Sequence, residues 1–228
     1  MKLNKVLGVL ALGLCLSAHA TLYQNQFNSG FANSGNIPDG NLSGWSDFRN
    51  LTGMAPQITD ITVTLNISGG YNGDLYAYLS FGNVLVPLLN RVGVGSGDAF
   101  GSADAGFNVA LSSTGTDVHS VNAGGAQLTG SYQVDGRAIS PLSSPASFDS
   151  ASRVDFSVYN NLNPNGVWTL FIADVSGGGG TSQLTSWELD ITAVPEPVNC
   201  ALGAFAGLAL AGGLCRSERV RALFTSRS

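Results

Sequence analysis

Residues able to do chemistry are few in this chain and widely spaced. Of its two histidines, His19 falls at the end of an N-terminal apolar segment, and His119 stands in the polar sequence Gly115-Thr116-Asp117-Val118-His119. A Ser-His-Asp arrangement would have to use His119, yet no Gly-x-Ser-x-Gly elbow surrounds any serine. His119 therefore reads as a solvent-exposed loop residue with no partner. Between Thr21 and Val194 there are twelve aspartates, which could pair in space, but a single glutamate, Glu188, which argues against the usual general acid of glycoside hydrolysis. The stretch Gly93-Val94-Gly95-Ser96-Gly97-Asp98 lacks both the lysine of a phosphate loop and the glycine spacing of a dinucleotide fingerprint, and reads as a mobile loop. No catalytic residue emerges, and a non-enzymatic chain is expected. Calcium is the one ligand ion that the residue types suggest, because hard cations take oxygen from aspartate side chains and loop carbonyls. Its candidate ligands are Asp74 with Asp174, and Asp98 with Asp104 in the glycine loop; no other cofactor is expected.

The elements that must position these residues are short strands. Thirty glycines accompany clusters of β-branched residues, a pattern of strands joined by tight turns. Ile61, Val63, Leu65 and Ile67 alternate with polar residues, as in a half-buried strand. After the turn Ser68-Gly69-Gly70-Tyr71-Asn72-Gly73, a second strand puts Leu75, Ala77, Leu79 and Phe81 on one face and Tyr76 with Tyr78 on the other. Further apolar runs at 84–88, 107–111, 154–159, 167–175 and 184–191 give seven to nine strands. The expectation is an all-β fold, a single jelly-roll-like β-sandwich over residues 21–194. Residues 21–56 are read only as a lead-in strand and loops.

The three cysteines, Cys15, Cys200 and Cys215, all lie in the apolar terminal segments, so the sandwich must stand without disulfides. It holds four arginines and no lysine against thirteen acidic residues, which argues against nucleic-acid binding.

Both ends carry processing signals. Residues 1–20 combine Lys2 and Lys5, an apolar run from Val6 to Leu16, and small residues at Ala18 and Ala20, the pattern of a signal peptide cut by signal peptidase after Ala20. At the other end Val198 to Cys215 is apolar over about the length of a membrane helix and is followed by arginines, which places the acidic body outside the inner membrane. Immediately before it stand Pro195, Glu196 and Pro197, whose prolines hold an extended segment that a protease can read. The ordered set over 195–228 resembles the PEP-CTERM sorting signal of Gram-negative bacteria. That resemblance implies recognition by an exosortase, transient inner-membrane anchoring, and release of the body to the cell surface or extracellular polymer.

Within the body, Asn165-Gly166-Val167-Trp168-Thr169-Leu170-Phe171-Ile172-Ala173-Asp174, a glycine loop and then Leu184-Thr185-Ser186-Trp187-Glu188-Leu189 resemble the closing strands of the P/Homo B domain. Ile61-Thr62-Val63 with Gly73-Asp74-Leu75 is similar to that family's early strand pair. The resemblance spans about residues 56–192 and implies the β-sandwich that accompanies subtilisin-like proprotein convertases. It departs at Gly69, where the family often carries a histidine. Trp168 and Trp187 occupy the family's tryptophan positions, and their own sequence context reads as core packing.

These readings together expect an exported surface or matrix protein with a non-catalytic binding or structural sandwich. A second expectation is a carbohydrate-binding module for exopolysaccharide that uses Tyr71, Tyr76 and Tyr78 as a stacking strip. A third is an accessory domain associated with subtilisin-like protease function. Beyond the processing enzymes, the partners expected are exopolysaccharide or surface proteins.

Overall fold

Alternation of apolar and polar side chains produces the longest strands, and their buried faces meet in one core. The computed structural model describes residues 19–196. Ten strands are present among them: β1 (Thr21–Phe27), β2 (Asn36–Ile37), β3 (Trp45–Leu51), β4 (Gln57–Ser68), β5 (Leu75–Phe81), β6 (Val84–Asn90), β7 (Gly106–Asp117), β8 (Leu128–Gln133), β9 (Gly166–Asp174) and β10 (Ser182–Val194), with one short helix, α1 (Pro145–Asp149). The signal-peptide run, Ala18, Pro197, the apolar segment 198–215 and the arginine tail lie outside the described residues. Among the described residues no helix is long and apolar enough to cross a membrane.

The strands form two sheets. One has the order β1-β10-β4-β7-β8, with β2 also pairing β10; the other has the order β3-β9-β5-β6. All pairings are antiparallel except β7 with β8. Ile61, Val63, Leu65 and Ile67 of β4 are fully buried in one cluster with Leu75, Ala77 and Leu79 of β5, so the chain crosses from one sheet to the other at residues 69–74. Alternation in β9 and β10 buries Trp168, Leu170 and Ile172 together with Trp187, Leu189 and Ile191. Trp168 stacks on Phe81 at 4.2 Å and donates from Nε1 to the Pro164 carbonyl. Trp187 donates from Nε1 to Asp47 Oδ2 at 2.7 Å, so each indole N–H is satisfied inside the core.

Three expectations change. Residues 21–56 supply whole strands: β1 closes the outer edge of the first sheet against β10, and β3 closes one edge of the second against β9. The apolar run 154–159 is not a strand. Asp155 caps a 3-10 turn over Phe156–Tyr159 by accepting from the Ser157 N–H, and the turn sends Phe156 and Tyr159, three residues apart, into the core. The glycine loop is tied down at several points: Val94 N–H donates to the Arg91 carbonyl, Gly95 and Asp98 exchange backbone hydrogen bonds, and Ser96 N–H donates to Asp149.

Register fixes two poles. Thr21 pairs with Ala193 and Gln57 with Val194, so the sandwich receives and releases the chain at one pole. The opposite pole holds loops 38–44, 69–74, 91–105 and 175–181, which adjoin the first residues of β3, β5, β7 and β10. The thirteen residues of β10 separate the poles by about 40 Å. Among the described residues, the sheet pairing and the buried core lie within 21–194.

A candidate binding cleft at the loop pole

The turn 72–74 organises the loop pole. Asn72, fully buried, donates from its backbone to the Asp104 carbonyl, donates from Nδ2 to the Gly106 carbonyl and accepts from the Gly106 N–H at Oδ1. Gly73 donates to the Ser102 carbonyl, and a side chain there would meet the Phe100 carbonyl oxygen at 2.2 Å, so only glycine lets the 91–105 loop lie this close. Arg91 donates from Nε to the Gly73 carbonyl. The next residue, Asp74, is turned into a cleft of about 430 Å³.

Asp74 is buried at the cleft base. Tyr71 and Phe100 stand at its rims, 45% and 82% exposed, and Ser102, Ser176 and the backbone of Gly177–Gly179 complete it. Tyr71 packs against Gly179, where a Cβ would collide with the edge of its ring. Burial pushes the Asp74 carboxyl above its ordinary range, and Asp39 adds to this; Arg91 and a hydrogen bond from Ser176 act the other way.

Asp174, opposite Leu75 at the end of β9, lies behind this cleft and is 1% exposed. Burial raises its pKa to about 6, with the Asp74 and Asp39 charges adding to the effect, while the backbone N–H groups of Ser176 and Gly40 oppose it. The fold thus brings the candidate calcium ligands Asp74 and Asp174 to one place. It gives Asp98 and Asp104 other work. Asp98 Oδ1 accepts from the Phe100 and Gly101 N–H groups. The buried Asp104 accepts from Ala123 N–H at 2.6 Å and Gly125 N–H at 2.7 Å, one on each oxygen. Among the described residues no set of three histidine, cysteine, aspartate or glutamate side chains is arranged to hold a metal ion.

His119 overturns the expectation of an exposed, partnerless residue. It is 7% exposed; Nδ1 lies 2.7 Å from Asp135 Oδ2, and Nε2 lies 2.8 Å from the Val94 carbonyl oxygen. Asp135 is fully buried and also accepts from Arg137 and from the Asn90 backbone N–H, while Asp117 bridges Arg137 and Arg153. The reason is topological: β7 and β8 run parallel, and residues 118–127 return the chain so that 119 and 135 meet across the β8 end. The pair has the histidine and aspartate of a catalytic triad, but a carbonyl oxygen only accepts, so Nε2 must donate to Val94. The nitrogen that would activate a serine is occupied.

The expected tyrosine strip divides in two. Tyr71 belongs to the cleft, whereas Tyr76 and Tyr78 lie on the outer face of the second sheet, half-buried against Phe171, with Tyr78 and Phe171 stacked at 4.7 Å. Pro195 and Glu196 follow β10 and are exposed, as is Ala20 ahead of β1.

No family model matches the chain, and no curated protein matches it. Among solved structures, a chain of the Aeromonas sobria serine protease and chaperone complex is similar, with 12% identity, a TM-score of 0.43, and coverage of 77% of this chain and 28% of that one. The serine protease of Aeromonas sobria is similar at 14% identity and a TM-score of 0.41, covering 76% and 27%. This chain spans just over a quarter of the length of those chains, and at these scores neither likeness says what it does.

Proposed function

We propose that the chain is an exported, non-catalytic binding protein whose sandwich is held or released at one pole and presents its cleft at the other. The carrying observation is the β1–β10 pairing. It sets Thr21 beside Ala193, so that a leader before residue 21 and a sorting segment after 194 both join the sandwich about 40 Å from the loop pole. This arrangement suits a domain that is secreted through its N-terminal signal, anchored through residues 198–215 and cut near Pro195, Glu196 and Pro197 by an exosortase. The P/Homo B resemblance accords with the two-sheet architecture but brings no protease chemistry with it, because function resides in sites rather than folds. The occupied Nε2 of His119 supports the non-catalytic reading.

Intact mass and cell fractionation of the mature protein in its host test the proposal. A product from about Thr21 to Pro195 or Pro197, recovered at the surface or in the medium, is expected. A product that keeps Met1, or one retained whole in the cytoplasm, overturns the export reading. One that starts at Thr21 but keeps its arginine tail in the inner membrane removes the exosortase step.

A further inference from the structure

We infer that the cleft at the loop pole binds the cationic end of a lysine or arginine side chain presented by a partner protein. Three features select this chemistry. The cleft base is a carboxylate, Asp74, that is more than nine-tenths buried, and its one opposing charge named above, Arg91, is already engaged with the Gly73 carbonyl. The rims are aromatic: Tyr71 is fixed against Gly179, and Phe100, 82% exposed, projects from a loop whose backbone is tied to Val92 and Gly73. A ring face beside a carboxylate attracts an organic cation through both charge and quadrupole. Finally, Ser102 and Ser176 line the cleft and can accept further N–H groups from an ammonium or guanidinium.

Competing ligands fit less well. A calcium ion needs six or more oxygen ligands, and Asp74 is the one carboxylate lining the cleft. A neutral sugar would use the aromatic rims but would leave the buried Asp74 charge uncompensated, with Asp39 and Asp174 adding to the negative field. A side chain with an aliphatic stem and a charged end matches both the ring-lined mouth and the acidic base.

The inference rests on the loop pole being the presented one, but its test uses purified protein and reads the cleft whether or not the chain is exported. The purified protein is titrated with Nα-acetyl-lysine methylamide and Nα-acetyl-arginine methylamide while backbone amide shifts are followed by NMR. Saturable shifts at Phe100–Ala103 and Gly177–Gly179 are expected, weakened about tenfold by Asp74→Asn and about threefold by Phe100→Ala. Phe100 is exposed, so that variant keeps the fold and the test even where Asp74→Asn loses it. Absence of saturable shifts overturns the inference, as does binding unchanged in Phe100→Ala or equal binding of Nα-acetyl-norleucine methylamide. Calcium shifting the same amides while the amines do not would assign the cleft to a metal instead, and a maltooligosaccharide doing so would assign it to sugars.

Discussion

Replacing Asp174 by asparagine should stabilise the protein at neutral pH and do nothing of the kind in acid. The carboxyl is 1% exposed and titrates at about 6, with burial as the main cause and Asp74 and Asp39 adding to it. Because the folded state holds this proton more tightly than the unfolded chain, its contribution is fully present below the unfolded value of 3.8. It is lost as pH rises through about 6, and it is flat above about 7. A shift of about two units corresponds to about 3 kcal/mol between those limits. Asparagine carries no charge to desolvate and keeps the acceptor for the Ser176 N–H, but it gives up the attraction of an anion for the Gly40 N–H, at a cost of about 1 kcal/mol. A net gain of about 1–2 kcal/mol remains, or a rise in Tm of about 2–8 °C at about pH 7.5, vanishing near pH 4. Thermal unfolding of both proteins at the two pH values, with chelator present, reads this difference. A variant less stable than the parent at pH 7.5, or a difference independent of pH, would refute the reasoning. If added calcium raises the parent's Tm and leaves the variant's unchanged, a bound cation rather than protonation relieves the buried charge.

Other outcomes follow from single positions. Trp168→Ala should cost about 3–5 kcal/mol in urea unfolding, since the ring is fully buried against Phe81 and Tyr159. His119→Ala should cost about 3 kcal/mol by the same measurement, because it removes the imidazole donor to the Val94 carbonyl and one of the two donors to Oδ2 of the buried Asp135, leaving the Asn90 N–H. Gly73→Ala should destabilise the protein by more than about 2 kcal/mol and displace the 91–105 loop in amide spectra, whereas Gly177→Ala, with nothing within 4 Å of the new methyl, should change stability by less than about 0.5 kcal/mol.

What the sequence revealed depended on how local the signal was. In β4, β5, β9 and β10 a buried face repeats at every second residue, and that period can be read without knowing the partner strand. β1 (TLYQNQF) and β3 (WSDFRNL) are sheet edges with one neighbour each, so polar residues fill positions that a central strand would make apolar; their pairing partners lie more than a hundred residues away. The run 154–159 is apolar enough for a strand, but Asp155 is a cap and the large residues are three apart, which suits a 3-10 turn. His119 was illegible for a similar reason: Asp135 is sixteen residues downstream, and only the parallel β7–β8 return joins them. One clue was available, since Arg137, one of only four arginines in the body, stands two residues from Asp135.

Those four arginines explain the character of the loop pole. Arg49 is held by Asp47 and covers the Phe27 ring; Arg91 donates to Gly73; Arg137 and Arg153 neutralise Asp117 and support Asp135. Each has a structural post, and with no lysine between Thr21 and Val194 the cations of the sandwich are committed to its own carboxylates and carbonyls. Asp39, by contrast, raises the proton affinity of both Asp74 and Asp174 at the loop pole, Asp74 adds to that of Asp174, and Arg91 is the cation that acts against this on Asp74. A surface of that sign repels phosphate backbones and draws cationic partners, and the attraction should weaken with added salt. The same reasoning makes Arg91 the residue that sets the strength of the cleft. Arg91→Gln should raise the apparent affinity for a lysine side chain provided Gly73 keeps its donor, and a variant that binds more weakly while its amide spectrum is otherwise unchanged would show that Arg91 shapes the cleft rather than competing with its ligand.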